Sequence, residues 1–456
     1  MQRKIMRNSV DMLNEPLLKN MLLFYFPLVL TNILQALFNT ADIAVVGRFC
    51  GSVYVAAVGS TNSLVNLFLN LFVGLSTGAS VCVAHAIGSK SQRDVDNAVH
   101  TAMTISLIIG AVISVLGYFL SGEMLKLMGS PEDVIKLSTK YLKIYFCGTI
   151  FNTVYNFGAA ISRASGDTFK PLIISSVSGA LNFVLNILFV LVFKMTVDGV
   201  ALATIISQFF SAVVIVLVLL KGNEHLRLSL SKLKIHIRTL KKIFSLGLPS
   251  AFQGALFSIS NVTIQSSINS FGSTVISGAS ASTSIENFVY FFMNGFYHTS
   301  LNFVGQNIGA KNVKRVRKIT FTALICVIVV GITTGWLVRI FGKTLLGLFI
   351  DDSPAAILSG LERMDIVSTT YFLCGIMEVL VGSIRAMGLS IPPMIISLFG
   401  SCFLRVGWIL TFFQLPFFHT LKGLYIVYPI SWLITGLAQF ILYKHIYKKR
   451  LKEIGK

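Results

Sequence analysis

A carboxylate inside an apolar run is costly to place in a membrane, and it can do chemistry there. In LFNTADIAVVGRFCG, Leu37 to Gly51, Asp42 is the sole acid of the stretch running from Met21 to Val46. Of the 18 acidic residues of the chain, only Asp42, Glu286 and Glu378 lie well inside apolar runs. A charge at the centre of a bilayer costs about 2.5–3.5 kcal/mol on insertion scales, so each of the three is a functional candidate by default. Out of water, a carboxyl group can exchange protons near neutral pH. Ionised and surrounded by amide oxygens, it can instead hold Na⁺, a hard cation. Both are coupling chemistries. The competing reading for the two glutamates is an acid that faces a wet vestibule or pairs with Arg405.

Amides accompany the acids. Asn32, Gln35 and Asn39 lead to Asp42 at helical spacing, which places all four on one face. Asn62, Asn66 and Asn70 form a second stripe, with the pairs Asn152 and Asn156, and Asn182 and Asn186, further on. Part of this set is hydrogen-bonding glue between helices, worth about 0.6 kcal/mol per group. Its concentration in the first half of the chain points to a wet cavity and to cation coupling there. His85, His100 and His298 stand isolated and read as structural, and Gly74 with Gly78 reads as a helix-packing face. The six cysteines are scattered without a CxxC pair, which indicates neither a disulfide framework nor a zinc site. No Walker, HExxH or GxSxG motif is present, and no enzyme activity is expected.

The elements that must position these groups are long and greasy. Among the 456 residues, 54% are hydrophobic and 12% charged, with a mean hydropathy of +0.77. A soluble domain carries about 25% charged residues. Runs of about 20 apolar residues, enough for a helix to cross the hydrocarbon, give twelve spans: 21–46, 54–87, 98–120, 134–160, 171–193, 199–220, 244–270, 275–307, 319–341, 355–384, 392–414 and 423–443. The first is expected to be an uncleaved span, since no small-residue cleavage site follows it. The net charge of +20 could suggest nucleic acid, but most of the 38 Lys and Arg fall in the two termini and the even-numbered connections. Basic loops stay in the cytoplasm, so both termini are expected inside a cell-membrane protein, and the charge is topology rather than a nucleic-acid footprint.

The chain is also written twice, at a shift of about 222 residues, as the repeats of transporters are. RASGDTFKP from Arg163 reads against RAMGLSIPP from Arg385, and AHAIGSK from Ala84 against GQNIGAK from Gly305. Ser130-Pro131 matches Ser353-Pro354, and Pro27 matches Pro249. The expectation is an all-α integral membrane fold: twelve transmembrane helices in two six-helix bundles, related by a pseudo-two-fold axis along the membrane normal. The first lobe takes residues 1–220, a basic cytoplasmic linker residues 221–242, and the second lobe residues 243–456.

With these paired motifs and NTADIAVVGR in the first span, nearly the whole chain resembles the MATE (multidrug and toxic compound extrusion) transporters of the MOP flippase superfamily, most of all the bacterial DinF-like branch. The resemblance implies an antiporter that expels organic, often cationic, drugs or toxins in exchange for H⁺ or Na⁺ by alternating access. It places Asp42 at the centre of a first-lobe cation site, with Asn182 and Thr204 as companions. Asn186 falls where DinF-like members usually carry a second aspartate, which leaves the site one formal charge. The NorM-like cation site is not reproduced: its glutamate position is Phe257, and Glu378 lies about a turn from its aspartate position near Cys374. Glu286 and Glu378 are therefore read as anchors for a cationic substrate, and Gln35, Asn152 and Asn156 as first-lobe cavity residues. The resemblance implies no cofactor beyond the coupling ion and no metal beyond Na⁺ at Asp42. Its expected partners are a small-molecule drug or metabolite and membrane lipid, with no nucleic acid, and the protein is expected as a monomer. The alternatives are a lipid-linked oligosaccharide flippase of the same superfamily, whose cavity would show several cationic side chains, and, further off, a channel.

Overall fold

The protein, described by a computed structural model over residues 9–128, 132–222, 226–350 and 353–454, is helical along nearly all of that length. The Ser130-Pro131 element of the repeat lies outside the described residues. The first half runs α1 (Leu17–Phe49), α2 (Ser52–Gly88), α3 (Gln92–Leu127), α4 (Glu132–Cys147), α5 (Thr149–Ala164), α6 (Phe169–Ile187) and α7 (Val197–Leu220). The second runs α8 (Ile237–Asn269), α9 (Ser273–Gly309), α10 (Val313–Ile340), α11 (Gly342–Gly347), α12 (Pro354–Ile366), α13 (Tyr371–Ala386), α14 (Ile391–Ser397), α15 (Leu404–Leu410), α16 (Leu421–Tyr425) and α17 (Val427–Ile454).

Every span read from the sequence is helical, but several are not single α-helices, and two of these are sharply divided. The fourth is divided at Gly148 into α4 and α5, and the tenth bends by 48° between α12 and α13. The breaks fall at matching points of the two repeats. Hydropathy runs through the first without interruption, whereas the second falls in the polar stretch from Glu362 to Thr370. Broken helices at membrane depth free backbone groups to line a cavity. Nine helices among the described residues are long and apolar enough to cross a membrane, and the bent α12–α13 pair is a tenth. The broken fourth span falls short of that test, as does α9, which has the length at 37 residues but carries many Ser, Thr and Asn.

The repeat is reproduced in backbone conformation. Gly51 and Gly272 take φ of 104° and 91°, Gly166 and Gly388 take 92° and 94°, and Lys90 and Lys311 both take 56°. Only glycine enters the left-handed region without cost, and at Gly166 a Cβ would also meet Val10 O at 2.4 Å. The capping residues match too. Ser91 accepts from Asp94 N at 3.4 Å at the start of α3, and Asn312 accepts from Arg315 N at 3.3 Å at the start of α10.

Packing divides the chain differently from the repeat at the ends of two helices. One unit comprises Met1–Asp11 and Phe26–Gly247, the other Met12–Tyr25 and Leu248–Lys456. In α1 and α8 the change of unit comes immediately before Pro27 and Pro249, where a proline removes an intrahelical hydrogen bond and allows a bend. In the first unit, His100 Nε2 accepts from Ser229 N at 3.1 Å, and Thr101 Oγ1 accepts from His236 N at 3.1 Å. The α8 backbone lies directly on α2: a Cβ on Gly78 would stand 2.3 Å from Ile243 O and 2.7 Å from Gly247 N. Gly78→Ala is therefore expected to cost about 1–3 kcal/mol by overpacking, read as a lower thermal midpoint of the purified protein. An unchanged midpoint would show that the two helices part without cost.

In the second unit, the segment before Pro27 is anchored by side chains. Tyr25 stacks on Phe296 with ring centroids 4.0 Å apart, and Asn307 Nδ2 donates to Met12 O at 2.9 Å. Glu15 Oε1 accepts from Lys318 Nζ at 2.8 Å and Arg315 Nη1 at 2.9 Å, while Oε2 accepts from Leu17 N at 2.6 Å. The Lys318 bond, then the Leu17 amide, holds Glu15 down at about 2 against an ordinary value of 4.5. A depressed carboxylate stabilises fully above its unfolded value and loses that contribution as pH falls through its folded value. The thermal midpoints of wild type and Glu15→Gln should thus differ by a constant amount between pH 6 and 8 and converge from about pH 4.5 towards about 2. A gap that opens on acidification instead would contradict the assignment.

Candidate functional site

The stripe that ends at Asp42 finds its partners on α6 and α7. Asn182 and Asn186, one turn apart, face the Asp42 carboxyl; both are buried, Asn186 completely. Asn186 Nδ2 donates to Asp42 Oδ1 at 2.5 Å. With its amide turned to donate, Asn182 places its nitrogen 2.7 and 3.0 Å from the two Asp42 oxygens. The other amide atom of Asn182 lies 3.4 Å from Thr204 Oγ1, which reaches Val200 O at 3.0 Å. Buried Tyr141 is a further neighbour of the carboxyl. Directly after Asn186 the chain widens into a π-helical turn, Leu188–Val192, a local irregularity often found at functional positions.

This arrangement fits two protonation states through one amide. When Asp42 is ionised, both asparagine nitrogens donate to it, giving charge-assisted bonds. When Asp42 is protonated, its O–H can donate to the Asn182 oxygen, and the Asn182 nitrogen then donates to Thr204 Oγ1. Which way the amide points is fixed by where the proton sits. A second reading of the same atoms is oxygen ligation. Asn186 Oδ1 is enclosed and has no hydrogen-bond partner, and with Asp42, Thr204 and the Asn182 oxygen it makes a set of hard oxygen donors. Among the described residues there is no group of three or more His, Cys, Asp or Glu side chains, so a transition-metal centre has no ligand set here.

The expected cavity residues of the first half do not join this cluster. Gln35 Nε2 donates to Ser175 Oγ at 3.1 Å, a partner on α6 that sequence reading missed. Asn156 Nδ2 donates to Asn152 Oδ1 at 2.6 Å, so these two amides, just after the Gly148 break, satisfy each other.

In the second half Glu286 is not a free carboxylate. Its carboxylate is 2% exposed and is paired with Arg363, itself 4% exposed. Arg363 Nε donates at 3.1 and 3.2 Å and Nη2 at 2.9 Å, while Ser282 Oγ donates at 3.0 Å. A carboxylate with that many donors has its charge balanced in place. Its partner is Arg363 and not Arg405. The signal available in the sequence was an arginine within the tenth span, at Arg363, as far from solvent as the acid. Glu378, on α13, makes no hydrogen bond or ion pair among the described residues; Arg385 and Tyr290 are its electrostatic neighbours.

Comparison with known proteins places the fold. The chain is 26% identical over 441 residues to the probable multidrug resistance protein YoeA of Bacillus subtilis (strain 168), covering 95% of this chain and 94% of that one. It is 27% identical over 444 residues to the probable multidrug resistance protein YpnP of the same organism, covering 97% and 98%. A solved structure of a multidrug resistance MATE family transporter of the MOP superfamily, in an outward-facing conformation, superposes with a TM-score of 0.90 at 20% identity, over 97% of this chain and 99% of that one. The twelve-span, all-helical membrane fold is thus that of solved MATE transporters. Residues 27–188 and 249–409, the two repeats, each match the MatE family model. With two copies of that unit occupying most of its length, the chain belongs to the MatE family of membrane transporters.

Proposed function

We propose that this protein is a bacterial secondary antiporter that expels organic, typically cationic, drugs or toxins in exchange for H⁺ or Na⁺ by alternating access. The observation that carries the reading is the half-buried carboxyl of Asp42, held by Asn182 and Asn186 and linked through Asn182 to Thr204. The names of the relatives, multidrug resistance proteins, support the substrate class. In this reading Asp42, Asn182, Asn186 and Thr204 hold the coupling ion, and Gln35, Asn152, Asn156 and Glu378 line the path of the substrate. Residues 1–220 and 243–456 act as the two lobes, joined through 221–242, with both termini cytoplasmic and the protein working as a monomer in the cell membrane. The branch is DinF-like with one carboxylate removed, since Asn186 stands where that branch carries its second acid.

Coupling follows from differential affinity. The ion and the drug must compete for one state, or favour opposite ones, for a gradient of the first to move the second. Efflux of an ethidium-like cation from proteoliposomes, with ΔpH and ΔNa⁺ imposed separately, tests this. Transport driven by either gradient alone supports antiport and names the ion. Flux that is unsaturable and indifferent to both would replace the antiporter with a channel. The flippase alternative gains nothing from the buried Arg363, whose charge Glu286 already neutralises.

A further inference from the structure

The second packing unit carries a cleft of about 220 Å³ that the coupling and transport reading does not use. Leu324 and Ile328 on α10 and Leu437 and Phe440 on α17 form its walls, and Ile376 and Leu380 on α13 its floor. α13 packs against both of the other helices, so the cleft opens where α10 and α17 part above it. Leu437 is 56% exposed. Both wall helices are long and apolar enough to cross a membrane, so the mouth of the cleft faces hydrocarbon. Its lining runs along α17 from Leu433 to Phe440, which is ~10 Å of helix. One leaflet supplies about 15 Å of hydrocarbon, so the cleft has the length for much of one acyl chain.

Gly436 lies in the middle of that stretch and lines the cleft. A Cβ there would meet only Ile376 Cγ2, at 3.9 Å, whereas at Gly375, Gly382 and Gly400 it would come within 2.1–2.7 Å of a neighbour. Helix packing therefore does not demand glycine at this position, and glycine costs a helix interior about 1 kcal/mol relative to alanine. What it supplies is depth. Two cations stand at one end of the cleft. Lys444 Nζ, one turn beyond Phe440, is 4.4 Å from the centroid of that ring, and the Arg317 guanidinium is 5.7 Å from that of Phe321. The two rings meet edge to face at 6.4 Å. Cation–π contact orients such groups but leaves their charge. Arg315 and Lys318 are taken by Glu15, and Arg450 by Glu453, while Arg317 and Lys444 make no ion pair among the described residues. α10 contains no acid, and α17 only Glu453.

We infer that this cleft is a binding site for one anionic phospholipid, with an acyl chain in the groove beside Gly436 and the phosphate held by Arg317 and Lys444. Basic pockets between transmembrane helices select anionic headgroups in this way, the guanidinium as a fork and the ammonium as a point charge. A zwitterionic phospholipid can fill the same groove, but its own cationic group then stands against the two side chains. The groove thus supplies retention and the cations supply selection. With the carboxyl terminus cytoplasmic, as proposed above, the lipid belongs to the inner leaflet.

The test is native mass spectrometry of the purified protein in a neutral detergent. The protein is incubated with equal amounts of phosphatidylglycerol and phosphatidylcholine that carry the same acyl chains. The wild type is expected to retain the anionic lipid at least tenfold over the zwitterionic one. Arg317→Gln combined with Lys444→Gln should remove that preference. Lys232→Gln combined with Lys234→Gln, an equal loss of charge in the other packing unit, should leave it intact. Gly436→Leu should lower retention of phosphatidylglycerol at least tenfold although both cations remain. Equal retention of the two lipids by the wild type overturns the inference without needing any variant to fold. So does a preference that survives the loss of Arg317 and Lys444, or one that the control pair abolishes equally. Full retention in Gly436→Leu would remove the groove from the site, and displacement by excess glycerol phosphate would mark a site for soluble phosphate esters; either result overturns it too. The measurement requires no gradient, so failure of the antiporter reading would leave the lipid site standing.

Discussion

Asp42→Asn in proteoliposomes is expected to reduce gradient-driven efflux to the leak of protein-free vesicles, while the variant inserts and unfolds at the temperature of the wild type. The substitution keeps shape and removes only the titratable, cation-holding charge. Asn186 Nδ2, now 2.5 Å from Asp42 Oδ1, would meet an amide oxygen in the same place. The new amide nitrogen would face Asn182, whose own amide can turn to present its oxygen. Each hydrogen bond of the cluster thus has a replacement, so the fold has no reason to fail. Coupling has none, because Asn186 is neutral and no other acid stands in the site. Efflux at the wild-type rate in this variant would remove Asp42 from the mechanism. Loss of efflux with loss of thermal stability would assign the carboxyl to structure.

Much of this site is legible in the amino-acid sequence alone. The polar stripe on α1 shares one face by helical spacing, and the i, i+4 pair Asn182 and Asn186 declares one face of α6. The twofold pattern of motifs also reappears residue for residue in the left-handed positions Lys90 and Lys311. What stays hidden is whatever depends on which helices meet. Hydropathy does not say that α8 crosses from one packing unit to the other at Pro249, since lipid-facing and bundle-facing leucines look alike. Nor does it mark the break at Gly148, where the apolar run continues. The Glu286–Arg363 pair joins residues 77 apart on two helices, and the choice between Arg363 and Arg405 as partner depends on which of their helices packs against α9.

That pair carries the second large effect. Glu286→Gln is expected to lower stability by about 3–5 kcal/mol, because it leaves the Arg363 guanidinium buried and uncompensated. The stacked faces of Tyr425 and Tyr428, 5.2 and 5.3 Å from it, do not cancel its charge. Arg363→Met should cost a similar amount by stranding the carboxylate, with only the Ser282 hydroxyl still donating to it. The double variant should recover most of the loss, since replacing both members of a buried pair avoids the cost of either isolated charge. Thermal unfolding of the four proteins in detergent closes the cycle, and a coupling of several kcal/mol is the expected sign of a structural pair. A substrate anchor would behave otherwise. Glu286→Gln would then keep its thermal midpoint and lose affinity for cations, and the Arg363 substitution would not rescue it. Glu378 has no such partner, so for that residue the opposite pattern is expected: substitution to Gln should leave the midpoint nearly unchanged and weaken the binding of cationic substrates.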